Sequence, residues 1–169
     1  MELYIRNKWV SLGGSSVVKD KNDNDVLKVK GKFFTFTRKK YVKDMEGNTL
    51  FIVRNKFWFL FHRQAFIFTP EKEQIGYVRR KIFSFHDHYD ISSKYGEVVL
   101  RGNILGYDYH ITLNGQEIGH VARKISLRDS FVLEINDDVD WQYFVALVIA
   151  LDNIVDSIRS SSSSVSYSD

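Results

Sequence analysis

The stretch Asp140-Trp141-Gln142-Tyr143-Phe144-Val145-Ala146-Leu147-Val148-Ile149-Ala150-Leu151-Asp152, continuing to about Ile158, decides the fold. Residues 143 to 151 are all apolar, so a helix here has no water-facing side and must be enclosed by the rest of the chain. Nothing upstream has the periodicity of a helix able to enclose it. Residues 1 to 136 read as short aromatic and β-branched strands punctuated by Asn, Asp and Gly. The expected architecture is therefore a mainly β protein, a barrel wrapped around one apolar C-terminal helix. At roughly 1.5 Å per residue, a helix over 139 to 158 is about 30 Å long and threads a small barrel end to end. Asn136, Asp137 and Asp138 are the expected cap and first-turn residues, because a helix start leaves N–H groups unpaired. Asp152, Asp156 and Arg159 give the second half a polar side, expected where the helix emerges at the barrel mouth.

The uncharged run between Asp140 and Asp152 is too short for a membrane span, which needs about 20 residues. A core helix is therefore the expectation over a helix that inserts in a bilayer. The length of 169 residues allows one domain with a real core, here 1 to 158, followed by a disordered serine-rich tail over 159 to 169. The chain has no cysteine, which excludes disulfides and thiolate chemistry. The first residues lack the apolar run of a signal peptide, and the expected location is the cytoplasm, peripheral to a membrane if the ligand is a lipid. With 24 Lys and Arg against 21 Asp and Glu, the net charge of +3 is too mild to demand a nucleic-acid partner.

Strand-like runs begin at Leu3-Tyr4-Ile5 and Trp9-Val10-Ser11-Leu12. Gly13-Gly14-Ser15-Ser16 reads as a turn, since no Lys-Ser or Lys-Thr follows to make it a phosphate loop. Asp20-Lys21-Asn22-Asp23-Asn24-Asp25 opens like a calcium loop, but the sixth position is Asp25 and the twelfth is Gly31, where Gly and Glu are needed. A polar hairpin turn is expected there. Further strands are read at 26 to 30, 33 to 37, 49 to 54, 57 to 61, 65 to 68, 98 to 101, 107 to 111 and 131 to 135.

Three stretches repeat one pattern: Leu50-Phe51-Ile52-Val53-Arg54-Asn55-Lys56-Phe57, Ile75-Gly76-Tyr77-Val78-Arg79-Arg80-Lys81-Ile82 and Ile118-Gly119-His120-Val121-Ala122-Arg123-Lys124-Ile125. Each follows a polar turn and runs apolar, two residues, Val, two residues, Lys, apolar. Recurrence of one strand unit favours a pseudo-symmetric closed barrel over an open sandwich. These strands, the order of elements and the terminal Asp-Trp-Gln-Tyr-Phe-Val-Ala-Leu-Val-Ile-Ala-Leu-Asp-Asn-Ile resemble the LURP-one-related family over residues 1 to 158. That family belongs to the tubby C-terminal-like superfamily, which includes phospholipid scramblases. The resemblance implies a closed antiparallel barrel of twelve strands around a hydrophobic C-terminal helix, without a catalytic motif. In tubby proteins the fold binds phosphoinositide headgroups through basic side chains, an analogy at the level of fold.

Candidate binding residues are the basic clusters Arg38, Lys39, Lys40 and Lys43; Arg79, Arg80 and Lys81; and Arg123 and Lys124. If the repeats are pseudo-symmetric, their basic corners lie near one another and form a patch for phosphate groups. The plain alternative is a solvated surface that blunts strand edges. Phe57, Trp58, Phe59 and Phe61 read as core rather than as a base-stacking platform, because the run is continuous. His86, His88 and Asp90 alternate along one strand, but successive positions are roughly 6 to 7 Å apart, too far to share an ion without a bend. No metal or other cofactor is expected. The sequence thus points to a non-enzymatic binding or scaffold module, monomeric, with an anionic lipid headgroup or a protein as ligand. The competing expectation is an enzyme whose pocket at a barrel mouth is built from His86, His88, Asp108 and His110.

Overall fold

Alternation of buried and outward side chains along nearly every strand sets the wall of the molecule. The computed structural model describes residues 1–6, 15–31, 37–56, 63–81, 89–124 and 130–163. Trp9 to Leu12, Gly13 and Gly14, Phe33 to Phe36, the aromatic run from Phe57 to Phe61, and His86 and His88 lie outside them. The strands are β1 (Glu2–Arg6), β2 (Ser15–Asp20), β3 (Asp25–Gly31), β4 (Lys40–Lys43), β5 (Thr49–Asn55) and β6 (Gln64–Phe68). They continue with β7 (Gln74–Arg80), β8 (Tyr89–Ser93), β9 (Val98–Asn103), β10 (Asp108–Leu113), β11 (Gln116–Arg123) and β12 (Ser130–Ile135). One helix, α1 (Trp141–Ser163), follows.

The twelve strands form one antiparallel sheet in the order β8-β7-β6-β5-β4-β3-β2-β1-β12-β11-β10-β9. Consecutive strands pair as an up-and-down meander, and β1 joins β12, with Leu3 opposite Leu133 and Ile5 opposite Phe131. The sheet curls into a nearly closed barrel whose open seam lies between β8 and β9, two strands consecutive in the chain. The Asp20 to Asp25 stretch is the β2–β3 hairpin turn: the Asp20 carboxylate accepts the N–H groups of Asn22 and Asn24, and Asp23 turns at φ 66°.

Strand alternation turns Leu27 and Val29, Val53, Ala65 and Ile67, Val78, Ile111, Val121 and Leu133 inward, all fully buried. The helix fills the space they enclose. Residues 143 to 151 of α1 are at most 1% exposed, as an all-apolar helix requires. By length and composition Trp141–Arg159 would pass for a membrane span, but 78% of it is buried within the barrel, so here it is a core helix.

Both helix boundaries differ from the sequence expectation. The cap is Asp140, not residues 136 to 138: Asp140 Oδ1 accepts the Tyr143 N–H at 3.1 Å and its carbonyl accepts from Phe144. Asn136 still donates to Ile118 O in the sheet, so the chain cannot turn into a helix until it has left β12. At the other end α1 continues to Ser163, five residues past 158. No Gly or Pro stands after Ile158 to stop it.

Candidate functional site

Antiparallel alternation decides where the basic residues go. Arg38, Lys39 and Lys40 lead into β4, Arg79, Arg80 and Lys81 close β7, and Arg123 and Lys124 close β11. Because β4 runs opposite to β7 and β11, all three groups arrive at the same end of the barrel, the end toward which α1 runs. Lys43 lies at the other end, where its ammonium donates to Gly47 O at 3.0 Å. The groups do not merge into one patch, since β5 and β6 separate β4 from β7, and β8, the seam, β9 and β10 separate β7 from β11.

Each group is also drawn into local contacts. Asp90 takes Arg79 at 3.2 Å and Lys81 at 3.1 Å, and hydrogen bonding by Lys81, ahead of Arg79, holds its carboxyl below the ordinary range. Lys124 donates to the Tyr4 hydroxyl at 2.9 Å and sits 4.3 Å from that ring, a bond that raises its pKa. Lys39 stands 5.0 Å from the Tyr41 ring. Arg80 is half-buried and its N–H donates to Arg63 O, while Arg123 is exposed.

Lys40 turns inward, because β4 alternates Lys40 and Val42 into the barrel. Its ammonium is 3.0 Å from Asp152 Oδ2, and the two side chains are only 8% and 2% exposed. Asp152 Oδ1 accepts the Tyr107 hydroxyl at 2.7 Å. Asp152 therefore lies inside the wall and does not mark the emergence of the helix into solvent. A charge in that position persists only because a cation and a hydroxyl satisfy its oxygens. Around it, Asn153 Nδ2 donates to Arg38 O, Asn55 Nδ2 to Ser157 Oγ, and Ser157 Oγ to Asn153 O. Arg159 donates to Leu105 O at 2.8 Å and covers the Tyr107 ring at 5.2 Å.

Asp156, one turn beyond Asp152, lies 3.7 Å from Arg38. Burial, and then the Asp152 carboxylate, push its pKa up to about 6 against the opposing pull of Lys40, Arg38 and Arg159. The Tyr107 and Tyr109 hydroxyls are raised above their usual range, first by burial and then by Asp152. This cluster fastens the second half of α1 to the wall. Sequence reading missed it, although a carboxylate directly after eleven uncharged residues is the signal that could have found it.

The residues of the competing enzymatic reading divide differently. Asp108 and His110 face outward on β10, in front of His120 on β11. His110 Nδ1 is 3.0 Å from Glu117, His120 Nε2 is 3.0 Å from Asp108, and the rings stack with centroids 4.4 Å apart. His110 is half exposed and stands with Asp108 on open wall, while Glu117 and His120 border a hollow of about 760 Å³ shared with Glu2, Asp20, Glu134 and Asp137. Among the described residues no three His, Cys, Asp or Glu side chains are placed to hold a metal. His120 was legible in retrospect: the Asn114-Gly115 turn folds β10 on β11 and sets it opposite His110.

The LURP-one-related family model matches residues 1–152. No curated protein matches the chain. A crystal structure of a protein from Arabidopsis thaliana is similar with a TM-score of 0.65 at 19% identity, covering 90% of each chain. At that identity the likeness speaks to the fold alone. With the family pattern running through the barrel and into α1, the chain belongs to the LURP-one-related family.

Proposed function

We propose that the chain is a non-enzymatic binding module that recognises anionic phospholipid headgroups through the cations at one end of its barrel. The observation that carries the reading is the arrival of Arg38 and Lys39, Arg79 to Lys81 and Arg123 with Lys124 at a single end, three groups spread around one rim, with Lys40 turned inside. A ring of cations at one end suits a flat charged surface better than a single small ligand, because its members are too far apart to converge on one atom group. The family and the helix-filled barrel support a binding module in general. The outward position of Asp108 and His110 counts against a catalytic mouth built from them.

Each Lys or Arg near an anionic membrane contributes on the order of 1 kcal/mol, screened by salt. Co-sedimentation with vesicles of phosphatidylcholine alone or with phosphatidylserine, across a salt series, tests the reading. Binding to the anionic vesicles only, weakened by salt and at least tenfold by Arg80→Glu with Arg123→Glu, is the expected result. Equal retention by both vesicle types, or by neither, removes the headgroup reading and leaves a protein ligand.

A further inference from the structure

The Asp152 carboxylate joins opposite walls of the barrel. Lys40, against Oδ2, opens β4, whereas Tyr107, against Oδ1, immediately precedes β10, six strands away by either route around the sheet. On the first side α1 also packs along β5, β6 and β7. On the second side its grip is on the turn 104–107, where Arg159 donates to Leu105 O at 2.8 Å and lies over the Tyr107 ring at 5.2 Å. Beside that turn, β9 forms no ladder with β8 among the described residues. The far end of the seam is stitched by Asn114, which donates from Nδ2 to Tyr95 O, accepts the Glu97 N–H at Oδ1 and gives its own N–H to Glu97 O. Close to this stitched end the β10–β11 register shifts between Ile111 and Thr112.

The closed arrangement carries two costs. Tyr107 has φ 56°, in the left-handed region where an aromatic residue is an outlier, and Phe131, stacked 4.9 Å away, helps to hold its ring there. A backbone in that state persists only where its surroundings fix it. Close to Asp152, the Tyr109 hydroxyl, Asn55 Oδ1 and Asn153 Oδ1 find no hydrogen-bond partner in the protein, although each of these residues is at most 1% exposed. Swinging the turn outward relaxes the backbone at 107 and lets water approach these atoms, but it forfeits the Asp152 and Arg159 contacts. Opposed costs of this kind bring two packings close in free energy. From this geometry we infer that β9 and β10 form a hinged flap, clasped to α1 through Tyr107, that opens along the β8–β9 seam about the Asn114 end. The open flap uncovers Asp152 and the second half of α1. It stands apart from the headgroup reading, for no exposed rim cation takes part.

Spin labels test the flap in the full chain, which has no cysteine of its own. One labelled pair is Arg101→Cys on β9 with Lys56→Cys after β5, and the control pair is Lys30→Cys on β3 with Lys56→Cys. Distances are read by double electron–electron resonance. Tyr107→Phe keeps the ring and deletes the hydroxyl on Asp152, whereas Arg159→Ala keeps that hydroxyl and releases Leu105, so failure of one variant to fold leaves the other. In either variant the 101–56 distribution should gain a longer distance, at least tenfold above its weight in the clasped chain, while the 30–56 distribution stays as it was. Both distributions unaltered, with the fold intact by circular dichroism, would overturn the flap. Equal broadening of both pairs would overturn it as well, by reducing Tyr107 to an ordinary stabilising contact whose loss loosens the whole barrel.

Discussion

Asp152 and Asp156 stand one helical turn apart, and the barrel treats them differently. Asp152 has a donor on each oxygen, whereas Asp156 has Arg38 at 3.7 Å and a neighbouring carboxylate that repels it. With a pKa of about 6 in the folded chain against the ordinary 3.8, the folded state holds the Asp156 proton more tightly than the unfolded chain does. Stability is therefore lost as pH rises from about 4 through 6, and the cost of the ionised group is fully present above that window. Asp156→Asn is expected to raise the thermal midpoint at pH 7.5 and to lose its advantage by pH 4. Discounted for a side chain about one-third exposed, the gain is ~1 kcal/mol, or about 2–4 °C for a chain of this size. A lower midpoint than wild type at pH 7.5 would show that the Arg38 contact outweighs the cost of burial. Local spacing could not reveal this arrangement. Positions 152, 156 and 159 read as a polar helix face, and the cation that draws Asp152 inside is Lys40, 112 residues earlier.

The repeated strand unit corresponds to β5, β7 and β11, which all run in one direction along the barrel. Its Val is buried in every copy, at Val53, Val78 and Val121, and by register its second position lies on the same face, with Gly76 opposite Ile67 and Gly119 opposite Ile135. That second position is Phe51 in β5 and glycine in the other two. Phe51 packs edge-on against Tyr143, with centroids 6.0 Å apart. At Gly76 the same tyrosine comes so close that a Cβ would collide with its hydroxyl and lie 2.9 Å from Ser92 O. At Gly119 a Cβ would meet Glu134 O at 2.6 Å. The two glycines are thus explained by the approach of a helix side chain and of a neighbouring strand. Gly76→Ala should destabilise by ~1–3 kcal/mol, as overpacking does. Tyr143→Phe deletes one of the two obstructing oxygens and leaves Ser92 O, so the double variant should recover part of the loss in urea unfolding. Strict additivity of the two single changes would contradict the contact. The unit was legible because period-2 patterning is local. The cap of α1 was not, because Asp140 gains that role only after the sheet has released Asn136.

At the scale of the whole molecule, the apolar helix made the architecture readable, since a segment without a polar face leaves the chain little choice but to wrap it. Closure depends on something less visible in the sequence. Among the described residues eleven ladders hold the sheet together, and all but one join strands consecutive in the chain; the exception is β1 with β12. The seam falls between β8 and β9, although a short turn connects them. A barrel closed this way should open where hydrogen bonds are missing rather than where the chain starts. Native-state hydrogen exchange tests this, since amides exchange either through local opening or only through global unfolding. Amides of β1 that bond to β12 should exchange with the free energy of global unfolding, in step with the amides of α1 between 143 and 151. Amides of β8 and β9 that face the seam should exchange faster, with little dependence on denaturant. If β1 exchanges as a frayed strand while α1 stays protected, the barrel is held by the helix alone and the β1–β12 ladder adds no cooperativity. If the expected order is found, shortening β1 should loosen the whole barrel, which places closure at the β1–β12 ladder, four strands from the seam by way of β9 and eight by way of β8.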